Sequence, residues 1–306
     1  MITIVVPTYK RNRNLIELIE RLAKYSELLS FEIELYIYDN DSQNDFENNI
    51  LHYNSKNLSI YYKKRDKNYG GIYNFWYSLK DSLSTNSKYI SIITDDDLPY
   101  CDYLIELNKI EISSNKDFIL FNNLIHYNEL KQKFSISNIK NEYIEILDNH
   151  RTITGSTYSK SFLIDFFKLY EKDFEKVLMK SVYQMTFLTS HTTNVGVVET
   201  PCLIHTVDNK IFWDYSNHYQ LFYHDRIELF RIASKNNRLS DVNKNIVINA
   251  FIRRNGFLYL TRYLITTGFK NYGLILLIPN TIISSLKMFM IKFLRKTYRI
   301  INFYKK

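Results

Sequence analysis

The chain has 306 residues, enough for one large or two modest domains with a real core. Tyr (26) and Phe (20) are abundant while Gly (7) and Pro (4) are scarce, which excludes a disordered or collagen-like chain. The net charge of +8 hides an asymmetry: residues 242–306 carry twelve Lys and Arg and no acid, whereas residues 1–241 carry 28 bases against 32 acids. Cys101 and Cys202 are isolated thiols that give neither a disulfide framework nor a zinc motif, and they fit a reducing compartment. The N-terminus, MITIVVPTYKR, has no basic region before its apolar residues and no cleavage-site pattern, so it does not read as a signal peptide.

Ile2–Val6 is a continuous apolar strand stopped by Pro7, the pattern of a strand buried on both faces in a parallel sheet. Leu15, Leu18, Ile19 and Leu22 recur at helical spacing over 14–25. Strands follow at 33–38, ending in Asp39-Asn40-Asp41, and at 58–62, ending in Lys63-Lys64-Arg65. A helix is expected over 74–83 after Gly70-Gly71, then a strand over 89–94 and a helix from about 102 to 113. A strand at 118–120 completes the pattern. Strand–helix alternation of this kind predicts an α/β domain with a mostly parallel sheet flanked by helices. Right-handed crossovers then bring the four strand ends to one rim.

That rim is chemically loaded. Asp95, Asp96 and Asp97 follow a buried strand directly, where ligands sit in open α/β sheets. Three adjacent carboxylates repel one another, and a hard dication such as Mn²⁺ or Mg²⁺ relieves the repulsion through oxygen ligands. The competing reading makes Asp97 the N-cap of the following helix. Neither GxGxxG nor GxxxxGK[ST] occurs, which disfavours a Rossmann dehydrogenase and a P-loop enzyme. The middle is less regular. Residues 126–150 show no clear element, 152–161 are small and hydroxyl-rich, and helices are expected at 162–170, 175–189 and 218–234 with a short strand at 195–198.

Four blocks, VVPTYKR, YIYDNDS, RDKNYGGIYNFWYSL and IITDDDLPYCDYL, stand in the order and spacing of the family 2 glycosyltransferases, which the chain resembles over about its first 125 residues. The resemblance implies a GT-A (Rossmann-like) fold over 1–240, with a nucleotide-binding half at 1–125 and an acceptor half at 126–240. It implies that Pro7, Thr8 and Tyr9 line the base and ribose of a UDP-linked nucleotide-sugar donor, with Arg11 nearby. Asp39 takes the acid that accepts from the base, and Arg65, Asn68 and Gly70 take the block packed under the nucleotide. Asp95–Asp97 matches the DxD: Asp95 reaches ribose or metal, Asp97 ligates the metal, and Asp96 bonds the donor sugar or the metal. Gly155–Thr157 resembles a segment that holds a sugar. The family places an acidic base roughly ninety residues past the DxD, where this chain has Gln184; Glu175 is the substitute candidate, against a solvated helix-start acid. His191 and His205 are candidates for a metal shell or phosphate contact, against buried and satisfied side chains.

Past residue 240 the chain reads as a basic helical extension. Residues 274–283 are apolar but too short to span a membrane. From Leu286, apolar residues including Phe289, Phe293 and Ile300 share one helical face, and Lys292, Arg295, Lys296 and Arg299 the other. Such a helix suits an anionic membrane interface, or docks on the body with a solvated basic face. The expectation is a metal-dependent glycosyltransferase acting on a glycan acceptor, a lipid-linked oligosaccharide, in surface-polysaccharide synthesis. It would be cytoplasmic and peripheral on the inner face of the membrane, with no nucleic-acid partner. The alternatives are a non-catalytic glycan- or partner-binding module on the same fold, and a nucleotidyltransferase.

Overall fold

The computed structural model describes residues 1–40, 46–121, 125–128, 133–136, 154–174, 178, 184–198 and 203–207; at 125–128, 133–136, 184–186 and 203–207 only the backbone is described. All of them lie in one compact unit, Met1–Ser240. The basic extension, the expected helix at 218–234, Asp41 and Glu175 lie outside the described residues.

Strands β1 (Ile2–Thr8), β2 (Ile33–Asp39), β3 (Leu58–Lys64) and β4 (Tyr89–Ile92) form where the apolar runs stand. Helices α1 (Asn12–Ser26), α2 (Gly71–Asp81) and α3 (Cys101–Ser113) connect or follow them. After β5 (Asp97–Pro99) and α3 come β6 (Phe118–Phe121), β7 (Ile125–Asn128), β8 (Lys133–Ile136) and β9 (Ser156–Ser159). Helices α4 (Lys160–Leu169) and α5 (Gln184–Thr189) precede β10 (Val195–Val198) and β11 (Leu203–Val207).

The main sheet among the described residues has the order β10-β6-β9-β4-β1-β2-β3. Every neighbouring pair is parallel except those made by β9, which runs against both β4 and β6. The expected mostly parallel α/β sheet is therefore present. A second sheet, β5-β11-β7-β8, carries the strand that follows the acidic turn. Strands β7 and β8 fall in the region for which the sequence predicts no element, and three- or four-residue strands with mixed polarity carry no periodic signal.

Alternation along the strands sorts side chains onto two faces. Ile2, Ile4, Val6, Leu35 and Ile37 join Leu15, Leu18 and Leu22 of α1 and Leu104 and Leu107 of α3 in one apolar cluster. On the other face α2 meets α4, where Trp76 stacks on Phe166 with centroids 5.7 Å apart. Both faces are covered, so β1 is mostly apolar; the one polar residue before Thr8, Thr3, is buried and bonds Glu34 and Ser87.

Candidate active site

Strand β1 ends at Thr8, and the chain must turn sharply before α1. Lys10 takes the turn in the left-handed region, with φ 55°, a costly conformation for a residue with a Cβ. The turn leaves Tyr9 exposed and brings Arg11, at the N-cap of α1, back toward the acidic stretch. Arg11 Nη1 donates to Asp95 Oδ1 at 3.1 Å and to Asp96 Oδ2 at 2.5 Å. Thr8 Oγ1 donates to Asp95 Oδ2 at 2.5 Å. Asp95 is almost fully buried, and burial pushes its carboxyl up to about 6, against the Thr8 hydroxyl and Arg11, which pull it down, and with Asp96, which adds to the rise. Burial works against the charge on Arg11, and the two carboxylates more than offset it, so its pKa is raised.

Asp97 has a different bonded neighbour. It lies in β5, fully buried, and Thr94 Oγ1 donates to its Oδ2 at 2.6 Å. The N-cap of α3 is Tyr100, so Asp97 does not cap that helix. Antiparallel pairing of β5 with β11 sets His205 opposite Asp97. His191 is placed differently: its ring packs edge-on against Phe166 and Phe187, and its two nitrogens meet the Phe187 carbonyl and the Tyr170 hydroxyl, both at 2.8 Å. Both ring nitrogens of this half-buried histidine are therefore engaged within the protein.

At the end of β2, Asp39 is buried and accepts a hydrogen bond from the Tyr62 hydroxyl, while its carbonyl accepts from Arg65 N at 2.9 Å. Arg65 is buried over the Tyr38 ring, 5.3 Å from its centroid, and Nη1 reaches Asp81 at 2.9 Å. Its Nη2 is buried with no hydrogen-bond partner among the described residues. Pro7 is half-buried beside this group. Asn68 is exposed, yet its Oδ1 accepts from Asn40 Nδ2 at 2.7 Å and from Gly70 N at 2.8 Å, so it serves the loop as well as facing solvent. Gly70 holds φ 89° at the N-cap of α2, where a Cβ would be strained although space is open.

The structure thus brings Thr8, Arg11, Asp95 and Asp96 together and sets Asp39, Arg65, Asn68 and Gly70 on the adjoining strand ends. Gly155 N donates to the Ile92 carbonyl at 3.2 Å, at the carboxyl end of β4, whereas Ser156 and Thr157 run back into the sheet, fully buried in β9, with Thr157 Oγ1 2.6 Å from Ser91 Oγ. The residue of that run next to the acidic turn is Thr154, whose Oγ1 accepts from Thr94 N at 2.9 Å. Two residues escape the sequence pattern. Asn40 is visible only as a member of DND, and Asn74 only as a polar residue inside an aromatic helix face.

Among the described residues no three His, Cys, Asp or Glu side chains converge as a ready cation cage. The chemistry of the donor set nevertheless fits a hard dication. Asp95 and Asp97 offer oxygen ligands, and burial, the main cause of the raised Asp95 pKa, makes a second positive charge beside that carboxylate favourable. Arg11 supplies the first.

The family model Glycosyl transferase family 2 matches residues 3–178. No curated protein sequence matches the chain. Among solved structures, residues 1–349 of S. aureus TarS align with TM-score 0.59 at 15% identity, covering 83% of this chain and 71% of that one. The same fragment in complex with UDP-GlcNAc gives 0.59 at 16%, covering 83% and 72%. In a further crystal structure of S. aureus TarS the match covers 43% of that chain. The mannosyltransferase PcManGT of Pyrobaculum calidifontis, in complex with GDP-Man and Mn2+, aligns with TM-score 0.52 at 11% identity, covering 93% and 85%. At these identities the likeness is one of fold, GT-A in each case, while the family model spans more than half of the sequence. The chain belongs to the family 2 glycosyltransferases.

Proposed function

We propose that this glycosyltransferase moves a sugar from a uridine diphosphate donor to a glycan acceptor, with a divalent cation at the acidic turn. The observation that carries the reading is the gathering of Thr8, Asp39, Arg65 and the Asp95–Asp97 turn at the carboxyl ends of β1–β4. TarS has been crystallised with UDP and with UDP-GlcNAc, and the mannosyltransferase with GDP-Man and Mn2+, which supports a nucleotide-sugar at this edge.

In this reading Asp39 accepts from the base, Pro7, Thr8 and Tyr9 line the nucleoside, and Arg65, Asn68 and Gly70 form the floor. Asp95, Asp97 and His205 hold Mn²⁺ or Mg²⁺, and Asp96 takes the donor sugar. A dication bound there supplies counter-charge for the departing diphosphate. Arg11 supplies a second positive charge at the same place. Glu175 deprotonates the acceptor hydroxyl. A lipid-linked acceptor suits the basic amphipathic face of residues 286–304 and a position at the inner face of the membrane. Among the described residues no helix is long and apolar enough to cross a membrane.

Thermal unfolding tests the donor site. UDP with Mn²⁺ at about a hundredfold excess over Kd is expected to raise Tm by roughly 5 °C or more, and Asp97→Asn to remove the shift while remaining folded. Glu175→Gln should keep the shift and lose about 10²-fold or more in kcat. No shift with any nucleotide and metal contradicts the assignment.

Arg11 and the cation draw on the same carboxylates. Arg11→Ala is therefore expected to bind Mn²⁺ at least about fivefold more tightly in the absence of nucleotide, read by electron paramagnetic resonance of free Mn²⁺. Unchanged or weaker binding would separate Arg11 from the metal site.

Vesicles containing anionic lipid should retain the protein at low salt and release it at about 0.5 M salt, while neutral vesicles should not retain it. Equal retention on both would remove the electrostatic contact with the membrane.

A further inference from the structure

Asn74 occupies the first turn of α2, its backbone N bonded to the Gly70 carbonyl at 3.1 Å. It is buried, and a buried amide must place both ends of its side chain in hydrogen bonds. It does so across three segments. Nδ2 donates to the Tyr38 carbonyl at 2.8 Å and to the Thr8 carbonyl at 3.3 Å, and Oδ1 accepts from Arg65 Nε at 3.4 Å. One side chain therefore touches the last turn of β1, the last turn of β2 and the guanidinium that follows β3.

We propose that Asn74 is the positioning residue of the donor site: its amide sets the spacing between the ends of β1 and β2 and the plane of the Arg65 guanidinium. The inference rests on the donor-site reading above. Three observations carry it. The Thr8 carbonyl that Asn74 holds belongs to the residue whose hydroxyl grips Asp95. The Tyr38 carbonyl precedes Asp39 directly, so its position fixes where the Asp39 carboxylate starts. Arg65 lies over the Tyr38 ring and has Asp81 as its one carboxylate among the described residues, so the bond to Asn74 is a second point that fixes its plane. A second amide layer backs the first. Asn40 N donates to the same Thr8 carbonyl at 3.0 Å, and the Asn40 side chain joins Asn68 Oδ1 and Tyr69 N.

Chemistry sets what each replacement does. Alanine removes all three bonds: the Thr8 carbonyl is left with Asn40 N as its donor, and the Tyr38 carbonyl loses the side-chain donor that tied it to α2. Aspartate keeps an acceptor for Arg65 but sets a carboxylate against both carbonyls, so it disturbs the strand ends more than alanine does. Neither residue touches the donor in this account, so the effect falls on donor binding rather than on bond-making.

The test uses the full chain at a temperature well below Tm. Calorimetry is expected to show UDP binding with Mn²⁺ weakened about tenfold in Asn74→Ala and further in Asn74→Asp. Donor KM should rise in step, with kcat within about threefold and acceptor KM unchanged. Amide hydrogen exchange without ligand should rise in the segments around residues 8–11 and 39–40 and not in α1 or α3. Wild-type UDP affinity in both folded variants, with only Tm lowered, would make Asn74 merely structural and overturn the proposal. So would unchanged exchange in the two loops. A wild-type protein that binds no nucleotide would sink the donor-site reading, and the exchange arm would still decide whether Asn74 sets the loops.

Discussion

Thr8 closes β1 with two groups, and the two point the site in opposite directions. Its carbonyl accepts from Asn40 N and Asn74 Nδ2, tying β1 to β2 and to α2. Its hydroxyl donates to Asp95, tying β1 to the turn after β4. A single residue thus connects the three loops that would surround a nucleotide. The arrangement depends on burial: in water these bonds would trade freely with solvent, whereas here a broken one leaves an unsatisfied polar group. Local order at the rim is therefore held by amides and hydroxyls, while the apolar faces of the sheet hold the strands that carry them.

Charge at the rim is arranged around a shortage. Asp95 is buried and close to Asp96, and its raised pKa reports the cost of keeping negative charge there. Arg11 meets that cost through one nitrogen shared between two carboxylates. A cation with two charges would do so more completely, and under the proposed reading guanidinium and metal would compete for the same oxygens. Such a competition would give Arg11, placed near the nucleoside by the family resemblance, a role of its own, since a side chain displaced from carboxylates is a natural counter-ion for phosphate.

Much of this could be read in the chain. The strands at Ile2, Ile33 and Tyr89 are mostly apolar and buried, and β3 at the sheet edge alternates buried and exposed residues, so the polar blocks stand out at their carboxyl ends. The family resemblance of the four blocks agrees with the match over residues 3–178. Strand β9 was not legible. Ser156, Thr157 and Ser159 are buried hydroxyl residues in the middle of a sheet, and they look like loop because their partners, among them Ser91, are distant in sequence. The strand role of Asp97 was hidden for a related reason: a three-residue strand has no period, and its partner β11 lies a hundred residues on. Asn74 carries no local mark of its function. Its meaning comes from two carbonyls and a guanidinium that the fold delivers to it.

The most direct measurement is a crystal structure of the protein with UDP and Mn²⁺. The account predicts the base against Asp39, the ribose near Thr8 and Tyr9, and the diphosphate beside Asp95–Asp97 with Arg11 turned from the carboxylates toward phosphate. Nucleotide bound away from the carboxyl ends of β1–β4, or bound there with Asp39 and the acidic turn untouched, would contradict it.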